Sequence, residues 1–496
     1  MYFCGLDVGT SGVKAVVFDE TGKTAATSFY EYVLVLKSDG TRELSPLDIW
    51  EKTKAVLFDV GKKCKGISAL AVSSFGEAFV CVDDAGREIS RVMVYTDRRG
   101  EDEYFTAMKN SSNEEIAKIC GLPPSTTYSI SKLLHIKYNM KDIYRKTRKF
   151  LLIEDYIYFK LCGGAYTDYS LACRTMLFDV HQKKWSGVLM EKFGFDPEKF
   201  SAPVQSGAVI GEIAAGIARE TGLPAGLKLV MGGHDQPVNA MGAGLRKGAT
   251  VCSMGTSECL TPVFDAPLPY RVTLESSLSS EPFLTGGMYC TLAYNVTSGL
   301  AVKWFFDTFA PAERPDGHPP YALFERSAPK DPTRLLVQPY LMGSGTPYMD
   351  HRARFAIIGA DVGTTRYDIY KSVLEGLCMD QRLNLEIIKN EGIHVDNIIC
   401  VGGGSKSRLW LKVKADSMQV SVSTLKCSEA GALGCAILCA AAMGVYENAR
   451  AAGEAMSEIA ETIDPDPARA APYDEKFALY RELHKDLDLY SRFASK

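Results

Sequence analysis

Two short strings in this chain share residue types, order and spacing. Residues 8–19 (Val8-Gly9-Thr10-Ser11-Gly12-Val13-Lys14-Ala15-Val16-Val17-Phe18-Asp19) recur as residues 254–265 (Met254-Gly255-Thr256-Ser257-Glu258-Cys259-Leu260-Thr261-Pro262-Val263-Phe264-Asp265). Six of the twelve positions are identical, without a gap. Each copy starts in an apolar strand, turns at Gly-Thr-Ser and returns toward Val-Phe-Asp. A glycine and two hydroxyls in a tight turn offer N–H and O–H donors to a phosphate. One copy per half predicts two related domains facing one polyphosphate across a cleft. Asp7 ends the strand just before the first turn. A carboxylate there can hold Mg²⁺ through water while Thr10 and Ser11 donate to phosphate. An aspartate that merely closes a turn is the plainer alternative.

A second group is His234-Asp235-Gln236, at a strand end just before a helix. Helix N-terminal N–H groups keep Asp235 ionised and fix its direction. Such an aspartate can take the proton of a hydroxyl that attacks a γ-phosphate; as a bare segment, a plain N-cap is the better reading. A third group runs from Gly402-Gly403-Gly404 through Ser405 and Lys406 to Ser407-Arg408-Leu409-Trp410. It ends a strand and opens a helix, a corner where backbone can approach a nucleotide closely. It is not G-x-G-x-x-G, which weighs against a dinucleotide fold. Glu429-Ala430-Gly431-Ala432-Leu433-Gly434 opens a helix of small residues, suited to close packing by another helix or by a flat adenine. Gly76-Glu77 and Asp97-Arg98-Arg99 follow strands in the first half, where polar groups can pair with sugar hydroxyls; surface turns are the alternative. Asp361-Val362-Gly363-Thr364-Thr365 imitates the first turn, but the residues after it have helical spacing. Thr364 or Thr365 is therefore expected to cap a helix.

The elements that must position these groups alternate along the chain. Strands are expected at Phe3–Asp7, Val13–Phe18, Tyr30–Leu36, Ile67–Ser73, Ala78–Val82 and Val92–Tyr95. Ser45 caps a helix with Pro46 in its first turn, running to about Lys63. Residues 101–160 read as mainly helical, Leu227–Met231 as a strand followed by a helix from Gln236. Gly242 to Thr250 reads as the hinge. The second half repeats this alternation, with strands at Thr250–Ser253, Cys259–Val263 and Asn397–Val401 and helices near Gly299–Thr308 and Ile369–Asn390. A charged helical tail is expected from about Ala449. The expected domains are therefore 1–246 and 247–496.

Composition sets the bounds. A chain of 496 residues is too long for one core. The apolar share of 46% and charged share of 23% are those of a globular protein. A formal charge of −4 gives no basic field for nucleic acid or an anionic membrane. No signal peptide and no apolar run of membrane-spanning length is seen. The fourteen cysteines are scattered without a C-x-x-C pair, which predicts reduced core thiols in a cytoplasmic protein.

Together these motifs resemble the FGGY family of carbohydrate kinases, within the superfamily of actin, hexokinase and heat-shock chaperones. The resemblance spans roughly residues 3 to 448. It is carried by the first turn with Lys14, by Gly-Gly-His-Asp-Gln, by Met254-Gly255-Thr256-Ser257, by Gly402-Gly403-Gly404 with Trp410 and Ala415-Asp416, and by Asp368 to Gly376. The chain departs from the family's signatures at Phe355 and Ala360, and has His135 where tryptophan is usual. The resemblance implies an α/β fold of two ribonuclease H-like, actin-like ATPase domains around a central cleft. It implies an ATP-dependent phosphotransferase acting on a ketose or polyol, with ATP and Mg²⁺.

Position by position, the resemblance makes Asp235 the general base and sets Asp7 beside Mg²⁺. Gly76, Glu77, Arg98 and Gln236 fall to the substrate. Thr10, Ser11, Lys14, Gly255, Thr256, Gly299, Lys303, Gly403, Gly404, Ser407 and Arg408 fall to the nucleotide. Glycerol kinases usually carry Arg-Glu at the positions of Gly76-Glu77, so the missing arginine argues for a longer ketose or polyol. The Met-His-type pair usual in xylulokinases is also missing. The expected partners are that small molecule and ATP, with no nucleic acid and no membrane; a homodimer stays open. A non-catalytic sugar- or nucleotide-sensing protein on the same fold is the second reading, and a chaperone-like ATPase the third. Retention of Asp235, Asp7 and both turns favours the enzyme.

Overall fold

The two Gly-Thr-Ser strings fold as hairpin turns at equivalent places in two sheets. The computed structural model describes all residues except 110, 245, 247, 312–318 and 496. The first sheet contains β1 (Tyr2–Val8), β2 (Gly12–Asp19), β3 (Thr24–Glu31), β4 (Ile67–Ser74), β5 (Val209–Glu212) and β6 (Lys228–His234), in the order β5-β6-β4-β1-β2-β3. The second contains β7 (Ala249–Met254), β8 (Glu258–Phe264), β9 (Glu281–Pro282), β10 (Tyr289–Cys290), β11 (Ala293–Asn295), β12 (Asn397–Val401), β13 (Ser421–Leu425) and β14 (Ile459–Ile463). Its order is β9-β10-β8-β7-β12-β13-β14, with β11 on β8. Both sheets run from an antiparallel hairpin to two parallel strands and then an antiparallel edge strand. The turns join β1 to β2 and β7 to β8. The inner strands β1, β4, β6 and β12 are buried along nearly their whole length, as strands covered on both faces must be.

Local chemistry explains the helices that matter. In α1 (Pro46–Lys63), the Ser45 side chain accepts from the Asp48 N–H, and proline opens the first turn. Three further helices, α2 (Tyr169–Cys173), α3 (Asp235–Gly242) and α4 (Gly299–Phe309), stand at the cleft. The imitation turn at 361–365 starts α5 (Arg366–Asn390). There Thr365 and Asp368 form a reciprocal capping box, the hydroxyl accepting from the Asp368 N–H at 3.3 Å and the carboxylate from the Thr365 N–H at 2.9 Å. Ser407 caps α6 (Arg408–Met418). The small-residue helix α7 (Ala430–Ala442) is buried over most of its surface, between α3 and the first sheet.

Several expectations are corrected. The strand expected at 30–36 is Thr24–Glu31, followed by only a two-residue Val35–Leu36 strand. The helical stretch from 101 to 160 is interrupted by the strand Lys149–Leu152, which pairs with Phe79–Val82. The tail from 449 is not all helix: β14 adds to the edge of the second sheet through an alternation too short to read. Of the hinge expected at 242–250, residues 245 and 247 lie outside the described residues; Arg246 Nη2 donates to the Ser457 carbonyl at 2.8 Å. All fourteen cysteines are free thiols, most of them buried. No described helix is long and apolar enough to cross a membrane.

α7 packs backbone to backbone. A Cβ on Gly5 would lie 2.0 Å from the Ala432 oxygen, on Gly242 1.9 Å from the Ala430 oxygen, and on Gly434 2.1 Å from the Val238 oxygen. Carbonyls cannot move aside as side-chain ends can. Gly242→Ala is therefore expected to destabilise by at least the ~1–3 kcal/mol typical of overpacking. Gly187→Ala, where an added Cβ meets nothing within 4 Å, is the control. The denaturant midpoint should fall in the first variant and hold in the second.

Candidate active site

Asp235 stands where a strand is forced out of register. The pairing of β6 with β4 shifts between Val230 and Gly233, and such a bulge re-aims the residues beyond it. Only glycine fits at 232, where a Cβ would lie 1.8 Å from the Val72 oxygen. The displaced backbone is pinned from below. Gly232 N–H donates to Glu154 Oε1 at 2.9 Å, and His234 N–H donates to Ser170 Oγ at 2.9 Å. The Ser170 hydroxyl donates in turn to Asp168 at 2.6 Å. Asp235 then opens α3, with its carboxylate turned to the cleft and 32% accessible.

The carboxyl of Asp235 is pushed up to about 7. Loss of water is the largest cause; the negative charges of Asp7 and Glu77 add to it, while Arg174 and the Gln236 N–H oppose it. Burial and the Arg174 charge hold the His234 imidazole well below its ordinary range, so the ring is neutral. Its Nδ1 is buried without a partner, and its Nε2 lies 3.3 Å from Asp235 Oδ1. The neutral ring thus adds no charge beside Asp235. A carboxylate titrating near neutrality is matched to general-base work near pH 7.

Glu77 enters from the end of β4 with φ at +60°, a left-handed conformation rare outside glycine and asparagine. Arg174, just after α2, bonds Glu77 through Nε and donates from Nη1 to Glu281 Oε1 at 2.6 Å. All three side chains are nearly buried. Gly76 leaves the room for this: a Cβ there would meet the His234 ring at 3.0 Å and Arg174 Cδ at 3.3 Å. Sequence reasoning did not single out Arg174 or Glu281. The available signal was one arginine inside the apolar run Leu171 to Phe178, since a buried charge must be paired. Gln236 lies in the first turn of α3, its Oε1 buried and unpaired.

Asp7 sits beside these groups. It accepts from Ser73 Oγ at 3.1 Å and feels Lys14, which donates to Glu429 Oε2 at 2.7 Å. Burial raises the Asp7 carboxyl above its ordinary range. Among the described residues no group of three or more His, Cys, Asp or Glu could hold a metal by itself. One carboxylate with room for water and phosphate oxygens is the arrangement that suits Mg²⁺, and Asp7 fits it. In the first turn Ser11 is exposed and Thr10 half-buried; in the second, Gly255, Thr256 and Ser257 are all exposed. The second turn is held from behind, with Ser298 N–H on the Thr256 carbonyl at 2.9 Å and Gly299 N–H on the Gly255 carbonyl at 3.0 Å. Cys259, on the strand leaving that turn, is close enough to Asp235 for its thiol to feel the carboxylate.

The remaining residues singled out by sequence divide. Gly404 packs against Met254 and Trp410, whereas a Cβ on Gly403 would meet nothing within 4 Å, so that corner is open. Ser407 caps α6 and donates to Glu325 at 2.7 Å. Lys303 pairs with Asp307 at 2.7 Å, Arg408 with Glu461 at 3.4 Å and Arg98 with Glu101 at 2.9 Å; these three are 68%, 78% and 74% accessible. Those cations occupy surface pairs and are not drawn into the Asp235 group. Arg99, beside Arg98, locks onto Asp97 and Glu43 instead.

Two sheets of one topology, each with a phosphate-type turn at the cleft, define the actin-like class of two-domain phosphotransferase. The model of the FGGY family of carbohydrate kinases, N-terminal domain, matches residues 2–242, and that of the C-terminal domain residues 250–443. The chain belongs to the FGGY family and is an ATP-dependent carbohydrate kinase. It is similar to a xylulose kinase of Bacillus subtilis (27% identical, covering 98% of each chain). It is also similar to an autoinducer-2 kinase of Salmonella typhimurium, at 25% identity over 98% of this chain and 94% of that one. A gluconate kinase structure from Lactobacillus acidophilus shares the fold, with a TM-score of 0.91, 24% identity and 99% of each chain covered.

The raised carboxyl of Asp235 has a thermodynamic consequence. An acid with a folded pKa of about 7 and an unfolded one of about 4 binds more protons folded than unfolded between those values. Stability therefore falls as pH rises through that window. Asp235→Asn removes the loss and leaves His234, the N-cap of α3, in place. The variant should melt above wild type at pH 8, and the gap should close by about pH 4. Scanning calorimetry across that range is the check.

Proposed function

We propose that Asp235 takes the proton of a hydroxyl on a bound ketose while that oxygen attacks the γ-phosphorus of ATP. The bond to the bridging oxygen breaks and ADP leaves. The reading rests above all on one observation: a carboxylate at the start of α3, aimed into the cleft by a bulged strand and set among Asp7, Glu77 and Arg174. In this reading Glu77 and Gln236 accept and donate to the sugar's other hydroxyls. The unpaired Gln236 Oε1 supports that role. The turns at Gly9–Ser11 and Gly255–Ser257 hold the phosphates from opposite domains, with Lys14 beside the first. Gly299, Gly403 and Gly404 line the nucleotide side. Asp7 would hold Mg²⁺, and the ion would neutralise charge on the phosphate oxygens.

A pentulose is the substrate class favoured here. Several relatives that align along nearly the whole chain are xylulose kinases. A coupled ADP-release screen of pentuloses, hexuloses, pentitols, gluconate and glycerol should give its highest kcat/KM with a pentulose. Absence of sugar-stimulated ADP release with every compound would favour a sensing protein on the same fold.

With the substrate in hand, Asp235→Asn should lower kcat by about 10²–10⁴, the usual cost of losing a general base. Sugar affinity should hold within about tenfold, because the amide reaches the same hydroxyl. In the wild type, kcat should rise with pH and level off above about 7, as the base becomes ionised. Near wild-type kcat in the variant would remove Asp235 from the mechanism.

A further inference from the structure

Two acids meet under the bulge without a cation. Glu154, on the helix Ile153–Cys162, and Asp168, the N-cap of α2, are both fully buried. They lie within hydrogen-bonding reach of each other, and burial is the largest cause raising each carboxyl. Among the described residues neither is paired with a cation. Two ionised carboxylates in contact, away from water, repel strongly, so the pair keeps one proton.

The surrounding donors decide which acid keeps it. Asp168 Oδ2 accepts from the Ser170 N–H at 2.7 Å, Ser170 Oγ at 2.6 Å and Ser206 Oγ at 3.2 Å; its Oδ1 accepts from the Leu171 N–H at 2.9 Å. Donors in that number favour the charged form. Glu154 is served far less well. Its Oε1 accepts from the Gly232 N–H at 2.9 Å, and its Oε2 is buried with no donor toward it. A charged oxygen stripped of both water and donors carries the full cost of desolvation. A proton on Oε2 removes that cost, and Asp168 is there to accept it.

We propose that Glu154 is a neutral positioning residue for the base, donating from Oε2 to an ionised Asp168 while Oε1 holds the Gly232 N–H. This role rests on the kinase reading of Asp235. The pair grips both ends of the bulge. Glu154 takes Gly232; Asp168 orients the Ser170 hydroxyl, which takes the His234 N–H at 2.9 Å. Asp235 is the next residue. The shared proton joins the two grips, because it bonds Glu154 to the carboxylate that orders Ser170. Tyr158, one turn along the same helix, shares the Gly232 N–H at 3.2 Å and donates to the Val230 carbonyl. The other titratable groups facing Glu154 are Asp155, Tyr158 and Cys435, and none brings a positive charge. A neutral glutamic acid and a glutamine offer the same two groups, one acceptor and one donor. Glutamine at 154 should therefore replace the native residue, which it could not do for an ionised glutamate.

The test uses the full chain. The infrared difference spectrum at pH 8, wild type minus Glu154→Gln, should contain the carbonyl stretch of a protonated carboxylic acid. Its absence overturns the proposal. Activity is read with D-xylulose and ATP. Glu154→Ala should lose about 10–100-fold in kcat, the scale of a slightly misplaced catalytic group, with both KM values within about threefold. Glu154→Gln should keep kcat within about threefold of wild type, since both hydrogen bonds are retained. A kcat in Glu154→Gln as low as in Glu154→Ala overturns the proposal, as does wild-type kcat in Glu154→Ala. A loss in Glu154→Ala confined to KM or to melting temperature makes Glu154 a structural pin and overturns it too. If Glu154→Ala does not fold, Ser170→Ala takes its place. That variant should lose about tenfold in kcat with KM held, and a wild-type kcat there defeats the positioning role. If the wild type turns over neither D-xylulose nor any other acceptor of the screen, the kinase reading fails and the positioning role falls with it. The infrared band still decides the shared proton.

Discussion

Everything at the cleft depends on how closely α7 approaches α3 and β1. Helices usually pack 8–10 Å apart because side chains hold them off. Here glycines at 5, 242 and 434 meet carbonyls of the facing element with no room for a Cβ. That contact brings Gly431 against Asn239 and the Asp7 carboxylate, and sets Glu429 against Lys14. It also joins the two halves. Val230 of the first sheet and Val251 and Ile399 of the second belong to one apolar cluster with α7. The distance between Asp7 and Asp235, and so the charge each imposes on the other, is set by backbone contacts that cannot relax. That rigidity keeps the Asp7 charge fixed beside Asp235, where it adds to the larger effect of lost water.

The cleft stores electrostatic cost in the same way. Asp7, Glu77 and Asp235 repel one another in a place poor in water, and the charged side chain that relieves Asp235 is Arg174. His234 contributes no charge, because burial and Arg174 keep it neutral. A more cationic histidine would pull Asp235 down toward an ordinary carboxylate, ionised but too weak a base. Two further acids, Glu154 and Asp168, lie under the bulge and are raised chiefly by burial. Their bonds to the Gly232 N–H and, through Ser170, to the His234 N–H hold the strand end that aims Asp235. Strain of this kind, like the left-handed Glu77, persists where the surroundings over-determine it.

Much of this was legible because it was local. The Ser45-Pro46 helix start, the repeated turn, the strand-to-helix step at Asp235 and the capping role of Thr365 each depend on residues within a few positions. Arg174 was not legible: its partners are Glu77 and Glu281, each about a hundred residues away. Nothing local marks a glutamate forced into a left-handed conformation. β14 was missed because a five-residue edge strand carries too little alternation to outweigh the helices around it. Arg98, Lys303 and Arg408 are exposed cations in surface pairs. Their types suit a substrate or phosphate, yet surface pairing uses them, and the adjacent Arg99 turns inward instead.

The two halves repeat a topology but not a charge. The position equivalent to Asp7 in the second copy is Ser253, and the position equivalent to Gly12 is Glu258. Glu258 does not face the cleft. It is fully buried and neutralised by Lys414, with Cys252 Sγ donating at 2.9 Å and Ser298 Oγ at 3.2 Å. The second turn therefore offers donors to a polyphosphate without a free carboxylate behind them, while the first turn has Asp7 directly at its base. A phosphate chain held between the two meets repulsion on the first side, which a cation at Asp7 would relieve, and none from Glu258 on the second. Duplication supplied two equivalent cradles. Burying one acid against a lysine and leaving the other at the cleft gives the two halves different charge at equivalent turns.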